Sequence, residues 1–568
     1  MSNVLCEGVD HFLPLSLTDT ASRRSTKEKM PYRLAITIAG AVSLGSFEAG
    51  VLFEVFDALC QHNQTASADQ RIYIDVLTGA SAGGMTAAIA SQTLLYTGPV
   101  SDPYNNPFYN AWIAGVDIQG LLPLGANESS DFSILSSDFV RKIAKQFLLG
   151  RYQTTIPTAI KHPALNPDGA ISLGLALSNL NGIDYERPLL SGGTFNYTRF
   201  QDQILFHLGP HSDSQATWSP ILESAVACGA FPFAFRACAL SRSFQDLSGP
   251  FAAPWPKTPR DFAYTDGGVF QNQPLGMAKN LVDLIDHHQQ TETRSYLFVS
   301  PTPLDPSLSS MTDKEASFKP MLGALIQAIY NQAGFRDWIE AESVNAAVNL
   351  LNQRATELLA LFSNQTLKAS EIRNVTQILL PRLQPSMAEL QTARMQLQKQ
   401  FAAEYASLSA RIGSSGADTW LDTVLLLELA ADLHEKDEML IYSITAEKKD
   451  LAGAGIFSFL GFLYRNFRDH DYDLGRAKSQ AFLTNLKQAS GGKLPQLNYI
   501  PKPIHAIQPT PPGGFTAAMI PKQNRKDLYN AVAQAADNFL KQEGLSWLVR
   551  KGIEAFYVDG KIKKMLDL

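Results

Sequence analysis

Charge is in short supply in this sequence. Asp, Glu, Lys and Arg make up 18% of 568 residues, against 45% hydrophobic, where soluble domains carry roughly 25% charged. That balance excludes a disordered chain, supplies a sizeable core and makes the outside less polar than usual. A basic excess is missing as well. Forty-eight Lys and Arg stand against 54 Asp and Glu, for a net charge of −6, and no basic run is present, so no nucleic-acid partner is expected. Cysteine is sparse: Cys6, Cys60, Cys228 and Cys238 are scattered, without CxxC or metal-ligand spacing, which excludes a disulfide scaffold or zinc module and reads as reduced thiols. No apolar run reaches the roughly 18 residues of a spanning helix, and the amino terminus has neither a basic-then-apolar leader nor an Arg-rich amphipathic one. A cytoplasmic protein with scope for peripheral contact at a membrane is the expectation.

What is present is strand and helix in alternation. The length allows two to four units, or one large domain with an extension. Residues 1–30 read as a solvated lead-in. The run Tyr32-Arg33-Leu34-Ala35-Ile36-Thr37-Ile38 has the β-branched look of a buried strand, and after a small-residue loop the apolar positions of 46–60 fall at helical spacing. The layout repeats: a strand at 72–78, a glycine turn, then a helix through Met85, Ala88 and Ile89. Further strands are expected at Ile171–Leu177 and Ser295–Ser300, giving an α/β fold with a mostly parallel central sheet covered on both faces. From about 306 to 568 the spacing is mainly helical. Six prolines and four glycines at 491–514 read as an extended strap before a last helical segment near 523–558.

Two short motifs carry chemistry. Gly79-Ala80-Ser81-Ala82-Gly83 is G-x-S-x-G, which places a serine on a tight strand-to-helix turn with its hydroxyl exposed to substrate. A nucleophilic serine needs a base. A Ser-His-Asp esterase would put a histidine late in the chain, but none of the ten stands in a suitable turn; His287 and His288 close an apolar helix-like stretch, where cations suit the helix dipole. The other base on offer is a carboxylate: Asp266, ending a short strand and followed by Gly267 and Gly268, can aim its side chain into a cleft. Taken alone, Asp-Gly-Gly is also an ordinary turn sequence.

In order along the chain, a glycine loop after the first strand, G-x-S-x-G, and Asp-Gly-Gly about 185 residues later resemble the patatin-like phospholipases. Glu48-Ala49-Gly50-Val51-Leu52, Ala227-Cys228-Gly229-Ala230-Phe231-Pro232 and Asp266-Gly267-Gly268-Val269-Phe270-Gln271-Asn272-Gln273-Pro274-Leu275 carry the same resemblance. It covers 33–302 and, more loosely, a helical extension containing Phe467-Arg468-Asp469-His470-Asp471-Tyr472 and Gly475-Arg476. It implies a three-layer α/β/α catalytic domain over 31–305 and a lipid acyl hydrolase with a Ser81/Asp266 dyad and an acyl-enzyme. It further implies an oxyanion hole from the amides of Gly40, Ala41 and Val42, and a lipid or ester substrate. No cofactor and no metal are implied. Phe262, Tyr264 and Phe270 would supply apolar surroundings that raise the basicity of Asp266.

The sequence departs from the family at one loop. Where the pattern is G-G-G-x-[R/K]-G, Gly40-Ala41-Val42-Ser43-Leu44-Gly45 stands here. A positive φ at Val42 would be strained, and Leu44 removes the basic charge, so a lipid-binding relative with weak or no activity is the alternative. The uncharged stretch 452–464 reads either as a lid or membrane-surface segment with Arg465, Arg468 and Arg476 meeting phosphates, or as a buried part of the extension with those arginines paired to Asp469, Asp471 and Asp473.

Overall fold

The computed structural model describes residues 31–188, 193–243, 258–286, 293–301, 318–383, 387–431, 439–542 and 562–568. The lead-in 1–30, Cys6, His287 and His288 lie outside them. The chain is a mixed α/β protein built on a mostly parallel sheet of eight strands: β1 (Tyr32–Ile38), β2 (Ile72–Gly79), β3 (Ile171–Pro188), β4 (Thr194–Leu208), β5 (Cys238–Arg242), β6 (Arg260–Asp266), β7 (Arg294–Val299) and β8 (Ile441–Ile444). Their order is β5-β6-β3-β2-β1-β7-β8, with β4 pairing β3 off this path. The pairs β1–β2, β2–β3 and β7–β8 are parallel, whereas β3–β4, β3–β6 and β5–β6 are antiparallel.

Burial explains which strands take the centre. Every residue of β2 is buried, as expected of a strand covered on both faces. The strand expected at 171–177 continues to Pro188, because beyond a register shift between Ser178 and Ile183 it forms a largely exposed ribbon with β4. The first helices follow their strands closely: α1 (Gly45–Thr65) after β1 and α2 (Ala82–Tyr96) after β2. Next come α3 (Ser137–Leu148), α4 (Gln215–Cys228) and α5 (Leu275–Asp286). α1 is buried almost all round, the signature of a core helix. It crosses a later helix, Arg465–Leu483, where a Cβ on Gly50 would lie 2.0 Å from the Tyr472 carbonyl oxygen and one on Gly475 2.2 Å from that of Phe47.

The described residues form two compact units that do not follow a break at 305. One draws on Met1–Ala278, Ser295–Phe335 and Ile441–Leu568, and the other on Lys279–Arg294 and Arg336–Leu440. The second is helical: the part of α6 (Phe318–Ser363) from Arg336 onward, α7 (Ala369–Leu383), α8 (Met387–Gln400), α9 (Ala402–Ile412) and α10 (Ser414–Ala430) gather Phe362, Leu380, Leu397 and Leu408 around Trp420, whose indole N–H donates to the Ala355 carbonyl at 3.2 Å. In the first unit β8 extends the sheet, and the later helices include α11 (Arg465–Leu483) and α12 (Lys522–Gln542); the 543–558 part of the expected last helical segment lies outside the described residues.

The strap at 491–514 is irregular and tied down. Arg476 on α11 donates to the carbonyls of Lys502 and Pro503 at 3.2 and 3.1 Å, the amides of His505 and Ala506 donate to Asp473, and Asn498 donates to the His62 ring. Buried Arg476 also pairs with Glu54 of α1 at 2.8 Å and Asp473 at 2.9 Å. Among the described residues, no helix is long and apolar enough to cross a membrane.

Candidate active site

The bend after β2 has the geometry that G-x-S-x-G demands. Ser81 has φ 51° and ψ −128°, a region that costs a non-glycine residue roughly 1–3 kcal/mol and persists where surrounding packing enforces it. The flanking glycines are there for space. A Cβ on Gly83 would lie 2.4 Å from the Ala39 carbonyl oxygen, and one on Gly79 2.4 Å from the Gly83 backbone. The turn is thereby pressed against the end of β1.

Asp266 closes β6 and is 1% exposed; Ser81 is 5% exposed. The Ser81 hydroxyl donates to Asp266 Oδ2 at 2.5 Å, and the Gly268 amide donates to Oδ1 at 2.6 Å. Sheet pairing fixes the acid: Leu177 of β3 lies opposite Asp266, and Ser178 donates to the Asp266 carbonyl at 2.7 Å. Gly267 allows the chain to turn against β3, since a Cβ there would sit 2.1 Å from the Ala176 carbonyl oxygen. Burial pushes the carboxyl up from 3.8 to about 7, against the lowering effect of the Ser81 and Gly268 hydrogen bonds. Phe262 and Tyr264 are buried on β6, Tyr264 with its hydroxyl donating to Asp202 at 2.7 Å. Phe270 is not: it is 37% exposed and stacks on Phe200 with ring centroids 6.2 Å apart, so it does not enclose the acid.

The loop after β1 departs from expectation at its first residue. The Gly40 amide donates to the Asn272 carbonyl at 3.0 Å, which removes it from the oxyanion-hole set. The amides of Ala41 and Val42 have no acceptor among the described residues. Val42 has φ 54°, the strained conformation for a β-branched residue. Leu44 is buried, and Gly45 opens α1 beneath the Trp112 ring. Asn272 ties the two halves of the site together, its side-chain amide 3.4 Å from the Gly40 carbonyl and its Oδ1 beside Gly268. Its role was not read from the sequence; its place six residues after Asp266 was the available signal.

No described histidine is hydrogen-bonded to Ser81 or Asp266. His470 accepts from the Gln508 amide and lies 2.8 Å from the Asp450 carbonyl, His62 holds Asn498 and the Gln70 carbonyl, and His162 accepts from the Ala164 amide. Burial lowers His162 to about 4. Cys60, Cys228 and Cys238 are free and buried.

Ser81 and Val42 line an apolar cavity walled by Met85, Trp112, Phe147, Phe231 and Phe462. Its free space is about 80 Å³, several times the 10–15 Å³ that one water needs. Phe462 belongs to the uncharged stretch 452–464, much of which is buried; Phe459 packs edge-on against Phe231 at 5.5 Å. The expected arginine pairing is mixed. Arg465 lies 3.6 Å from Asp469 and Arg476 pairs with Asp473, whereas Arg468 donates to the carbonyls of Ile113, Gly461 and Phe462. Asp471 accepts from the Ala452 and Gly453 amides.

The fold and site define a mixed α/β protein with a buried serine–aspartate pair whose serine lies on the wall of an apolar cavity. No protein-family model matches the chain. The chain is similar, at 22% identity over 405 residues, to the uncharacterized protein y4iI of Sinorhizobium fredii (strain NBRC 101917 / NGR234); the match covers 55% of this chain and 56% of y4iI, so the chain spans about half the length of the curated relative it matches.

Proposed function

We propose that this chain is a patatin-like lipid acyl hydrolase with a three-layer α/β/α catalytic region, cleaving carboxylic esters through an acyl-enzyme on Ser81. The observation that carries the reading is the 2.5 Å Ser81–Asp266 hydrogen bond, made by side chains 185 residues apart beside an apolar cavity. As Ser81 Oγ attacks the ester carbonyl carbon, ionised Asp266 takes the hydroxyl proton and the carbonyl electron pair moves onto oxygen. The amides of Ala41 and Val42 are the donors for that oxyanion. Collapse expels the alcohol, which takes the proton from Asp266. Water then gives a proton to Asp266, attacks the acyl-enzyme and releases the acid, and the proton returns to Ser81. The acyl chain occupies the cavity. The substrate is a lipid ester reached by a cytoplasmic enzyme at a membrane surface, and the chemistry calls on no cofactor.

Ser81→Ala tests the reading: it abolishes hydrolysis of p-nitrophenyl butyrate by the purified chain, and retained turnover overturns it. One observation favours a second reading, a lipid-binding relative of weak activity: the positive φ of Val42. Val42→Gly removes that strain, about 1–3 kcal/mol. In a competent hydrolase it leaves kcat within about threefold, whereas a rise above about tenfold marks the weak relative, on the scale of one oxyanion donor's contribution.

A further inference from the structure

Between α11 and the loop that precedes α1 runs a chain of polar contacts that the dyad does not use. Asp471 holds the start of the 452–464 stretch through the amides of Ala452 (2.7 Å) and Gly453 (2.8 Å). Arg468, buried, holds its end by donating to the Gly461 carbonyl at 2.9 Å. Between these two anchors the backbone is strained, with Ile456 at φ 50° and Ser458 at φ 66°. It is there that the stretch meets Ser43. The Ser43 hydroxyl donates to the Ser458 carbonyl and accepts from the Gly461 amide at 3.2 Å.

Ser43 is buried and adjoins Val42, which lines the cavity together with Ser81 and whose amide has no acceptor among the described residues. Its carbonyl is held as well, accepting from the Ser46 hydroxyl at 3.1 Å. A β-branched residue keeps φ 54° only where its neighbours fix the chain on both sides. Upstream, Asn272 fixes Gly40. Downstream, the side-chain anchor is the Ser43 hydroxyl, and both of its partners come from residues more than 400 positions later.

We infer that Ser43 is a positioning residue for the oxyanion loop, through which the 455–463 segment sets the orientation of the Ala41 and Val42 amides. The inference rests on the hydrolase reading. Loss of the Ser43 hydroxyl leaves the Ser81–Asp266 pair and the cavity wall in place, so substrate still binds and the nucleophile is still activated. What suffers is stabilisation of the oxyanion, which exists only on the way through the transition state.

The test uses the full chain with p-nitrophenyl butyrate, together with the rate of Ser81 labelling by a fluorophosphonate, which also builds negative charge on an oxygen facing those amides. Ser43→Ala lowers kcat about 10- to 100-fold, the range for a displaced rather than deleted donor. KM stays within about twofold, because ground-state binding is untouched, and labelling slows in parallel. Gly461→Ala perturbs the same contact from the other side, since its Cβ would lie 2.7 Å from Ser43 Oγ, and gives the same kcat loss with unchanged KM. In the double variant the clash with Oγ is gone, so the losses do not multiply. An unchanged kcat in Ser43→Ala, a loss carried by KM, or multiplicative losses in the double variant overturn the inference while wild-type turnover and Ser81 labelling leave the hydrolase standing. If Ser43→Ala does not fold, Gly461→Ala alone decides by the same kcat–KM split. A wild-type chain that neither hydrolyses the ester nor labels at Ser81 removes both.

Discussion

Replacing Asp266 by Asn separates activity from stability in a direction set by burial. Asp266 is charged above its pKa in a site where its partners are a hydroxyl and an amide. Burial raises it from 3.8 to about 7, so the native chain holds this proton more tightly than the unfolded chain does. Its contribution to stability is therefore full below about pH 4 and is lost as pH rises through 7. At about 1.4 kcal/mol per pKa unit, the ionised form costs the native state about 4 kcal/mol at pH 8. Asn keeps the shape: its carbonyl accepts from Gly268 and its amide faces the Ser81 oxygen, with no charge to bury. The stability difference between variant and wild type thus grows in the variant's favour by about 2–3 kcal/mol between pH 5 and pH 8. In calorimetry that is a relative gain in Tm of about 2–3 °C over the same interval for a chain of this size. Turnover moves the other way, falling at least about 10²-fold with the base removed. A variant whose Tm advantage is flat across pH would refute the burial argument, and one that keeps its turnover would refute the role of Asp266.

Other outcomes follow from the same geometry. The pH profile of kcat/KM rises with a single ionisation near the value of about 7 expected for Asp266 and reaches a plateau above it; a limb set by a group near 4 would assign the base elsewhere. Ser81→Gly is more stable than Ser81→Ala by about 1 kcal/mol in urea unfolding, because glycine relieves the positive φ at the bend; equal stabilities would show that no strain is stored there. Phe462→Ala enlarges the cavity wall and moves the preferred acyl length of p-nitrophenyl esters upward by about two carbons, at about 0.8 kcal/mol per buried methylene; an unchanged series would place the acyl chain outside the cavity. His470→Gln keeps kcat near wild type, since the ring holds the strap and the Asp450 carbonyl rather than Ser81.

Much of the site was legible because its signals are local. β1, β2 and the helices after them show in periodicity, and Gly79, Gly83 and Gly267 mark places where a side chain would strike a neighbouring backbone. β4 was not legible, being largely exposed and lacking a clean inside and outside. Nor was β8, four residues that become a strand by pairing with β7. The fate of the Gly40 amide depended on the Asn272 carbonyl, 232 residues away, and the hydroxyl of Ser43 looked idle until the 455–463 segment met it. Contacts of that span leave no periodicity to read. Exposure of Phe270 shows the converse limit, for an aromatic just after the Asp-Gly-Gly motif can still face solvent.

The most direct measurement is a fluorophosphonate reaction with the intact chain, followed by mass-spectrometric mapping of the adduct. The account predicts one adduct, on Ser81, formed faster as pH rises through about 7 and absent from Ser81→Ala. An adduct on another residue, or none at any pH, would contradict it.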